Sequence, residues 1–311
     1  MPYRAKKVVG VVLFIAVVAM IGWVFMHLPH GRDEAGLADG AANDDAVVRI
    51  VSLSPNVTET IYAIGAEGSL IGVTDCCDWP AAAMSKPVVG AYGRPNVERI
   101  LSIRPTVLLT TERLPEDMVR MFESSGTEVR TLRIGDVDSV WTMFREVGEI
   151  TGHVAGAERL IESVRSEFDA ARRRIEAVHS QPPRLFFEIW NDPLTTIGQE
   201  SFLSDVVSRI GAVNVAADAG IRPAYPVIDP ENVLHWDPDW ILLVTMETSD
   251  VAAATADARV AALKRRLGWK TLIAVKSDRI VADLPVDELL RAGPRLGQGA
   301  TAIARHIAGA K

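Results

Sequence analysis

The sequence predicts an α/β body of two similar lobes, built on mainly parallel sheets and joined by one long helix, with a transmembrane helix ahead of it. Three observations predict this: an unbroken apolar run near the amino terminus, short apolar strand candidates alternating with helical stretches, and an internal repeat with a constant offset. The 311 residues are 48% hydrophobic and 23% charged, too apolar for a disordered chain. A net charge of −7 excludes a general nucleic-acid binder, which needs a basic field to collect phosphates.

Val8 to Met26 is an unbroken run carrying only apolar side chains and Gly. As a helix it spans roughly 28 Å, close to the hydrocarbon thickness of a bilayer. Arg4, Lys6 and Lys7 precede it and no basic residue follows until Arg32, which places the amino terminus in the cytoplasm. A secretory signal peptide is the competing reading; it calls for a shorter apolar region and a small-residue cleavage site, where this chain has Met26-His27-Leu28-Pro29. Residues 1–29 are read as a cytoplasmic end with a membrane anchor, and both readings send the rest of the chain out of the cytoplasm. Residues 30–47 set Arg32 among Asp33, Glu34, Asp39, Asp44 and Asp45 with no apolar period, as expected of a flexible tether.

The repeat organises the remainder. Tyr92, Asn96-Val97-Glu98-Arg99-Ile100-Leu101, Pro105 and Leu108-Leu109 are echoed by Tyr225, Asp229-Pro230-Glu231-Asn232-Val233-Leu234, Pro238 and Ile241-Leu242, every paired position separated by the interval from Tyr92 to Tyr225. Both copies read as a loop Tyr, a short helix capped by Asn96 or Asp229 with a Glu in its first turn, a Pro-bearing turn and a buried strand. A looser echo pairs Ile64-Gly65-Ala66 with Ile210-Gly211-Ala212, each closing a helix that follows a strand, Arg49–Leu53 or Leu185–Ile189. Further strands are expected at Thr106–Leu109 and Trp240–Val244. Between the copies, Ala157 to Val178 carries Leu160, Val164, Phe168, Ala171, Ile175 and Val178 at helical spacing, with Glu162/Arg165 and Asp169/Arg173 on the opposite face. The expected division is therefore an N-terminal lobe at 48–156, an inter-lobe helix at 157–180 and a C-terminal lobe at 181–311. Two lobes on a stiff strut leave a cleft for a ligand.

Motifs for catalysis are lacking: no nucleophile elbow, phosphate-binding loop or His-Glu-x-x-His occurs, and the six His have no zinc spacing. No enzyme, cofactor or metal site is expected. Gly297-x-Gly299 follows no strand and reads as helix packing. The adjacent Cys76 and Cys77 are poorly placed for a disulfide and read as partly buried thiols, with a soft-metal or redox pair as the alternative. Tyr92 and Tyr225, repeated at one distance from a Glu, read as cleft-lining, and Glu98 and Glu231 as matched docking points for a basic partner.

Arg49-Ile50-Val51-Ser52-Leu53-Ser54-Pro55 with Thr58-Glu59, Gly72-Val73-Thr74, Asp78-Trp79-Pro80 and Asn96-Val97-Glu98-Arg99-Ile100 resembles the helical-backbone (class III) periplasmic substrate-binding proteins of ABC importers, nearest to their cobalamin-binding branch. The resemblance covers roughly residues 48–308. It implies two Rossmann-like lobes, a monomer, a small-molecule ligand held between loops of both lobes, and Glu98 and Glu231 docking onto permease arginines. For the ligand site it implies Tyr92 and Tyr225 at positions held by Trp in the cobalamin binder, Asp287 and Arg291 as a polar pair, Cys76 in place of a Tyr, Thr111 in place of another Trp, and Trp190 standing in for an aromatic replaced by Ile189. The expected function is an extracytoplasmic receptor that delivers a corrinoid to an ABC importer. A haem or ferric-siderophore receptor, or an anchored ligand sensor of the same fold, remain as alternatives.

Overall fold

The computed structural model describes residues 48–245 and 255–309. The expected anchor and tether lie outside them; among the described residues no helix is long and apolar enough to cross a membrane.

The first half runs β1 (Ile50–Ser52), α1 (Pro55–Ala63), β2 (Leu70–Val73), a small hairpin of β3 (Gly90–Ala91) and β4 (Arg94–Pro95), α2 (Val97–Ser102), β5 (Val107–Thr110), α3 (Glu116–Ser124), β6 (Glu128–Thr131) and α4 (Val137–Thr151). After the strut α5 (Val154–Glu176) come β7 (Arg184–Glu188), α6 (Phe202–Arg209), β8 (Val213–Asn214), α7 (Val215–Asp218), α8 (Pro230–Trp236) and β9 (Trp240–Leu243). The chain closes with α9 (Ala256–Lys264), α10 (Ile273–Lys276), β10 (Ile280–Val281), α11 (Val286–Leu290) and α12 (Leu296–Ile307).

Each half holds one four-stranded parallel sheet, ordered β2-β1-β5-β6 and β8-β7-β9-β10. The two orders are the same, strand for strand. β5 and β9 stand at the constant interval of the repeat, and both are apolar runs buried along nearly their whole length, as parallel strands covered on both faces must be. Asn96 caps α2 by accepting the Arg99 N–H at 3.0 Å, and Asp229 caps α8 by accepting the Glu231 N–H at 2.9 Å. The Ile-Gly-Ala echo is a Schellman stop in both halves: Gly65 (φ 82°) and Gly211 (φ 79°) turn the chain left-handed, and Ala66 and Ala212 donate back to the Ile61 and Val207 carbonyls.

Alternate strand residues face opposite layers. Ile50, Leu185, Phe187 and Leu242 join Phe144, Val164, Phe168 and Ile303 in one core that runs through both halves by way of α5. Val51, Leu108 and Phe122 form a separate outer core in the first half, and Phe186, Ile241 and Trp269 anchor another in the second.

The strut differs from the expectation at both ends. It begins three residues earlier, because Gly156 sits in the first turn, where it lets α5 close onto the Ile64 carbonyl rather than interrupting the helix. It stops ahead of Pro182-Pro183, and Val178 is exposed. The buried stripe is Ala157, Ile161, Val164, Phe168, Ala171 and Ile175, with Leu160 at its edge. On the outer face neither expected pair forms among the described residues. Arg165 lies over the Trp141 ring at 5.7 Å instead, and the strut's ion pairs among the described residues include Arg172–Glu176 at 2.6 Å, an i,i+4 contact, and Glu158 with Arg145 of α4 at 2.7 Å. Gly297 and Gly299 lie in α12, packed on Glu167 and Leu289, as read from the sequence.

A Cβ at Gly156 would stand 2.5 Å from the Ile64 carbonyl oxygen, a backbone atom that cannot move aside. Gly156→Ala is therefore expected to destabilise the protein by about 1–3 kcal/mol in urea unfolding, although Ala is the better helix former. A neutral or stabilising result would show that the strut does not depend on this contact.

Candidate functional site

Parallel strands send their outgoing loops to one edge, and the loops that leave the carboxyl ends of these strands surround a cleft of about 600 Å³. Pro55 and Asn56 follow β1, Cys76 follows β2, Thr111 and Glu112 follow β5, and Ile134 follows β6; Thr245 follows β9, and Asp287, Leu290 and Arg291 come from α11 and its end.

Tyr92 stands at the tip of the β3–β4 hairpin, and the hairpin depends on glycine. Gly90 has φ 147° and approaches the Arg94 carbonyl so closely that a Cβ would lie 2.7 Å from it; Gly93 supplies the second left-handed residue with φ 69°. The Tyr92 backbone N–H donates to Asp75 Oδ1 at 3.1 Å, and its hydroxyl donates to Glu112 Oε1 at 2.9 Å. Burial, with the neighbouring Glu112 carboxylate, pushes the Tyr92 hydroxyl well above its usual range, so it stays protonated. Tyr225 lies on a segment pinned by bonds from Thr196 and Gly198 to the Pro226 and Ala224 carbonyls. Its hydroxyl meets Ser201 and is also pushed up by burial. Both Tyr side chains line the same cleft, each four residues ahead of its helix cap.

Arg291 does not reach freely into the cavity. Its guanidinium holds Asp78 at 2.5 and 3.2 Å, Asp287 at 3.0 Å and Glu59 at 3.4 Å. Burial opposes its charge, but the bond to Asp78 and the charges of Asp287 and Asp78 outweigh burial and raise its pKa. Arg295 joins Glu59 at 2.7 Å and Glu288 at 2.6 Å, and lies over the Trp79 ring at 4.9 Å. The polar pair expected from the sequence lines the cavity with both members, and through Arg291 it also locks α1 to the α11–α12 region.

The adjacent cysteines are free thiols, Cys76 half-buried in the cleft wall and Cys77 buried beneath it. Thr74 Oγ1 lies 3.3 Å from each sulfur, and Thr58 Oγ1 donates to Cys77 Sγ at 3.2 Å. The hydrogen bond between the thiols, together with burial, pushes Cys76 up. The same bond lowers Cys77 to about 6 against the effect of its own burial, helped by the Thr58 and Thr74 hydroxyls.

Of the residues singled out in the sequence, Tyr92, Tyr225, Cys76, Asp287 and Arg291 line one cavity, and Trp190 does not. Trp190 pairs with Thr195 in an isolated bridge and donates its indole N–H to the Asp192 carbonyl at 3.0 Å, which ties it to its own loop. Thr111 is in the lining, its N–H donating to Ser54 Oγ at 2.9 Å. Sequence reasoning missed Phe202, Ile134 and Glu112. Phe202 opens α6 directly after the cap Ser201 and so reads as a core residue, and Glu112 gains its meaning only from a hydrogen bond to a distant hairpin. Glu98 and Glu231 are exposed in the first turns of α2 and α8, and neither carboxylate forms an ion pair among the described residues.

Residues 50–285 match the family described as periplasmic binding protein. An uncharacterized ABC transporter substrate-binding lipoprotein, YvrC of Bacillus subtilis, is 28% identical over 86% of this chain and 84% of its own length. The vitamin B12-binding protein of Pectobacterium atrosepticum is 27% identical over 84% of this chain and 88% of its own. Among solved structures, the periplasmic heme-binding protein RhuT from Roseiflexus sp. RS-1 in apo form superposes with a TM-score of 0.71 and 26% identity, covering 84% of this chain and 98% of that one. The chain belongs to the periplasmic binding protein family.

The hydrogen bond from Arg291 holds the Asp78 carboxyl below the usual carboxylate range. A depressed folded-state pKa contributes stability that is present above the ordinary value of ~3.9 and is lost as pH falls through the lowered one. Asp78→Asn is expected to melt below the wild type at neutral pH, with the difference closing as pH falls through the lowered pKa of Asp78, as read by thermal melts from neutral into acid. A deficit that persists at the acid end would assign the effect to packing.

Proposed function

We propose that this periplasmic binding protein is the extracytoplasmic receptor of an ABC importer, held at the membrane by residues 1–29, and that it carries a corrinoid between its two halves to the permease. The single observation that carries the reading is the placing of Tyr92 and Tyr225, repeat-related residues of opposite halves, in one cleft. Two aromatic faces with Ile134, Phe202 and Leu290 supply apolar area for a large planar ligand, while Asp287, Asn56 and Thr111 supply polar contacts at its edge. The likeness to a vitamin B12-binding protein supports the corrinoid. Haem in the same cleft is the second reading, favoured by the likeness to RhuT. Glu98 and Glu231, exposed and equivalent in the two halves, would meet arginines on the two permease subunits.

Titration of the purified full-length protein with cobalamin, cobinamide and haem, followed by tryptophan fluorescence, tests the cargo. Saturable quenching by a corrinoid is expected, and Tyr92→Ala with Tyr225→Ala should weaken it by about 10- to 100-fold through lost aromatic contact. No quenching by either corrinoid would remove that cargo. Glu98→Ala with Glu231→Ala should leave binding unchanged and abolish uptake in cells; intact uptake would count instead for an anchored sensor.

A further inference from the structure

Unmatched positive charge gathers outside the cleft. A second cavity, of about 420 Å³, opens beside the edge strand β6 and is lined by Arg113 from the loop after β5, Arg120 from α3 and Arg133 from the loop after β6. Glu112 and Ile134, the chain neighbours of Arg113 and Arg133, line the cleft, so the same two loops contribute to both cavities. Glu116 is the one carboxylate of the second lining among the described residues, 3.6 Å from Arg113 and 3.8 Å from Arg120. Both separations exceed a hydrogen bond and all three side chains are more than two-thirds exposed, so these pairs contribute little. Arg133 forms neither an ion pair nor a hydrogen bond among the described residues. Exposed arginines elsewhere are closely paired: Arg172 with Glu176 at 2.6 Å, Arg145 with Glu158 at 2.7 Å and Arg184 with Asp218 at 2.9 Å.

Three guanidiniums against one carboxylate leave two positive charges unmatched in a concave site, on a chain whose net charge is −7. A guanidinium presents paired donors in one plane, which match the oxygens of a phosphoryl group. Leu114 and Val119 add an apolar wall, and the volume suits a small molecule rather than a bare ion. We propose that this cavity is a second binding site, separate from the cargo cleft, for a small organic phosphate, with the phosphoryl group among Arg113, Arg120 and Arg133 and its organic part on Leu114 and Val119. Glu116 competes for the same guanidiniums and so weakens the site. The site stands whatever the cleft carries. Its chemistry is shared by a soluble phosphate monoester and by the diester headgroup of an anionic phospholipid, and the probes separate the two.

The test titrates the full-length protein in neutral detergent by calorimetry at fixed ionic strength, with glycerol 3-phosphate as the monoester, glycerophosphoglycerol as the headgroup diester, and chloride as the control for screening. Saturable binding of at least one phosphate probe is expected. Arg113→Gln with Arg133→Gln should weaken it about tenfold or more, and Glu116→Gln should tighten it about threefold. A gain in Glu116→Gln cannot come from misfolding, and the exposed arginine changes should leave the melting temperature and any corrinoid or haem quenching in the cleft unchanged. Tighter binding of the diester assigns the site to a lipid headgroup, and tighter binding of the monoester assigns it to a soluble ester. Heats no greater than those of chloride, or affinities equal in the wild type and both variants, overturn the site and leave the receptor reading untouched; loss of cleft quenching in the wild type overturns that reading and leaves this one.

Discussion

Glu59 is a carboxylate with 2% of its side chain exposed, and the two halves of the cleft take their relative position from what compensates it. It projects from α1 in the first half and meets Arg291 and Arg295 from the second. A buried charge costs several kcal/mol to strip of water, so this arrangement persists only where cations and hydrogen bonds replace the water on every side. Arg295 gives Glu59 two bonds, at 2.9 and 2.7 Å, and then braces itself on Glu288 and the Trp79 ring. Arg291 shares its charge among Glu59, Asp78 and Asp287, which fixes the loop that carries Cys76 against α11. Two walls of the cavity are thus tied by one ionic knot.

That knot and the strut act together. The core beneath both sheets is continuous through α5, so separating the halves would expose apolar surface as well as break ion pairs. The outer cores, by contrast, belong to one half each and do not restrain the cleft. A repeat of two identical strand orders therefore yields a single body, in which the loops at the strand ends are free to differ while their bases are not.

The repeat was legible in the sequence because it is local. A cap, a first-turn Glu, a Pro turn and an apolar strand each reveal themselves within a short stretch, and the constant offset between the copies recovers matching helices and strands. The strut was legible by its period, but not its start, because a glycine in a first turn looks like a break until the Ile64 carbonyl it packs against is known. The site was legible only in part. Tyr92 and Tyr225 stood out through repetition, whereas Glu112 and the triple engagement of Arg291 depend on contacts between segments that no spacing encodes. Trp190 lies outside the lining for a local reason: its indole N–H is tied to the Asp192 carbonyl of its own loop, which an aromatic beside the expected position does not reveal.

The distribution of charge around the cleft bears on the cargo. Arg291, the one cation among the described residues of the lining, is already matched by three carboxylates, while Glu112 and Asp287 face the cavity. Arg113, Arg120 and Arg133 line a separate cavity of about 420 Å³ that shares the same two loops, after β5 and β6, and none of them lines the cleft. A polyanionic ferric siderophore would bring its charge against two carboxylates, with no unmatched guanidinium among the described lining residues to receive it. Like charges at close range in a partly desolvated site are strongly unfavourable. On the proposed reading, a corrinoid, whose rim carries amides and whose metal centre is cationic, would meet the same carboxylates as hydrogen-bond acceptors and as a favourable field. Between the two proposed cargoes the lining thus favours the amide-rimmed corrinoid over haem, whose propionates would bring negative charge toward Glu112 and Asp287.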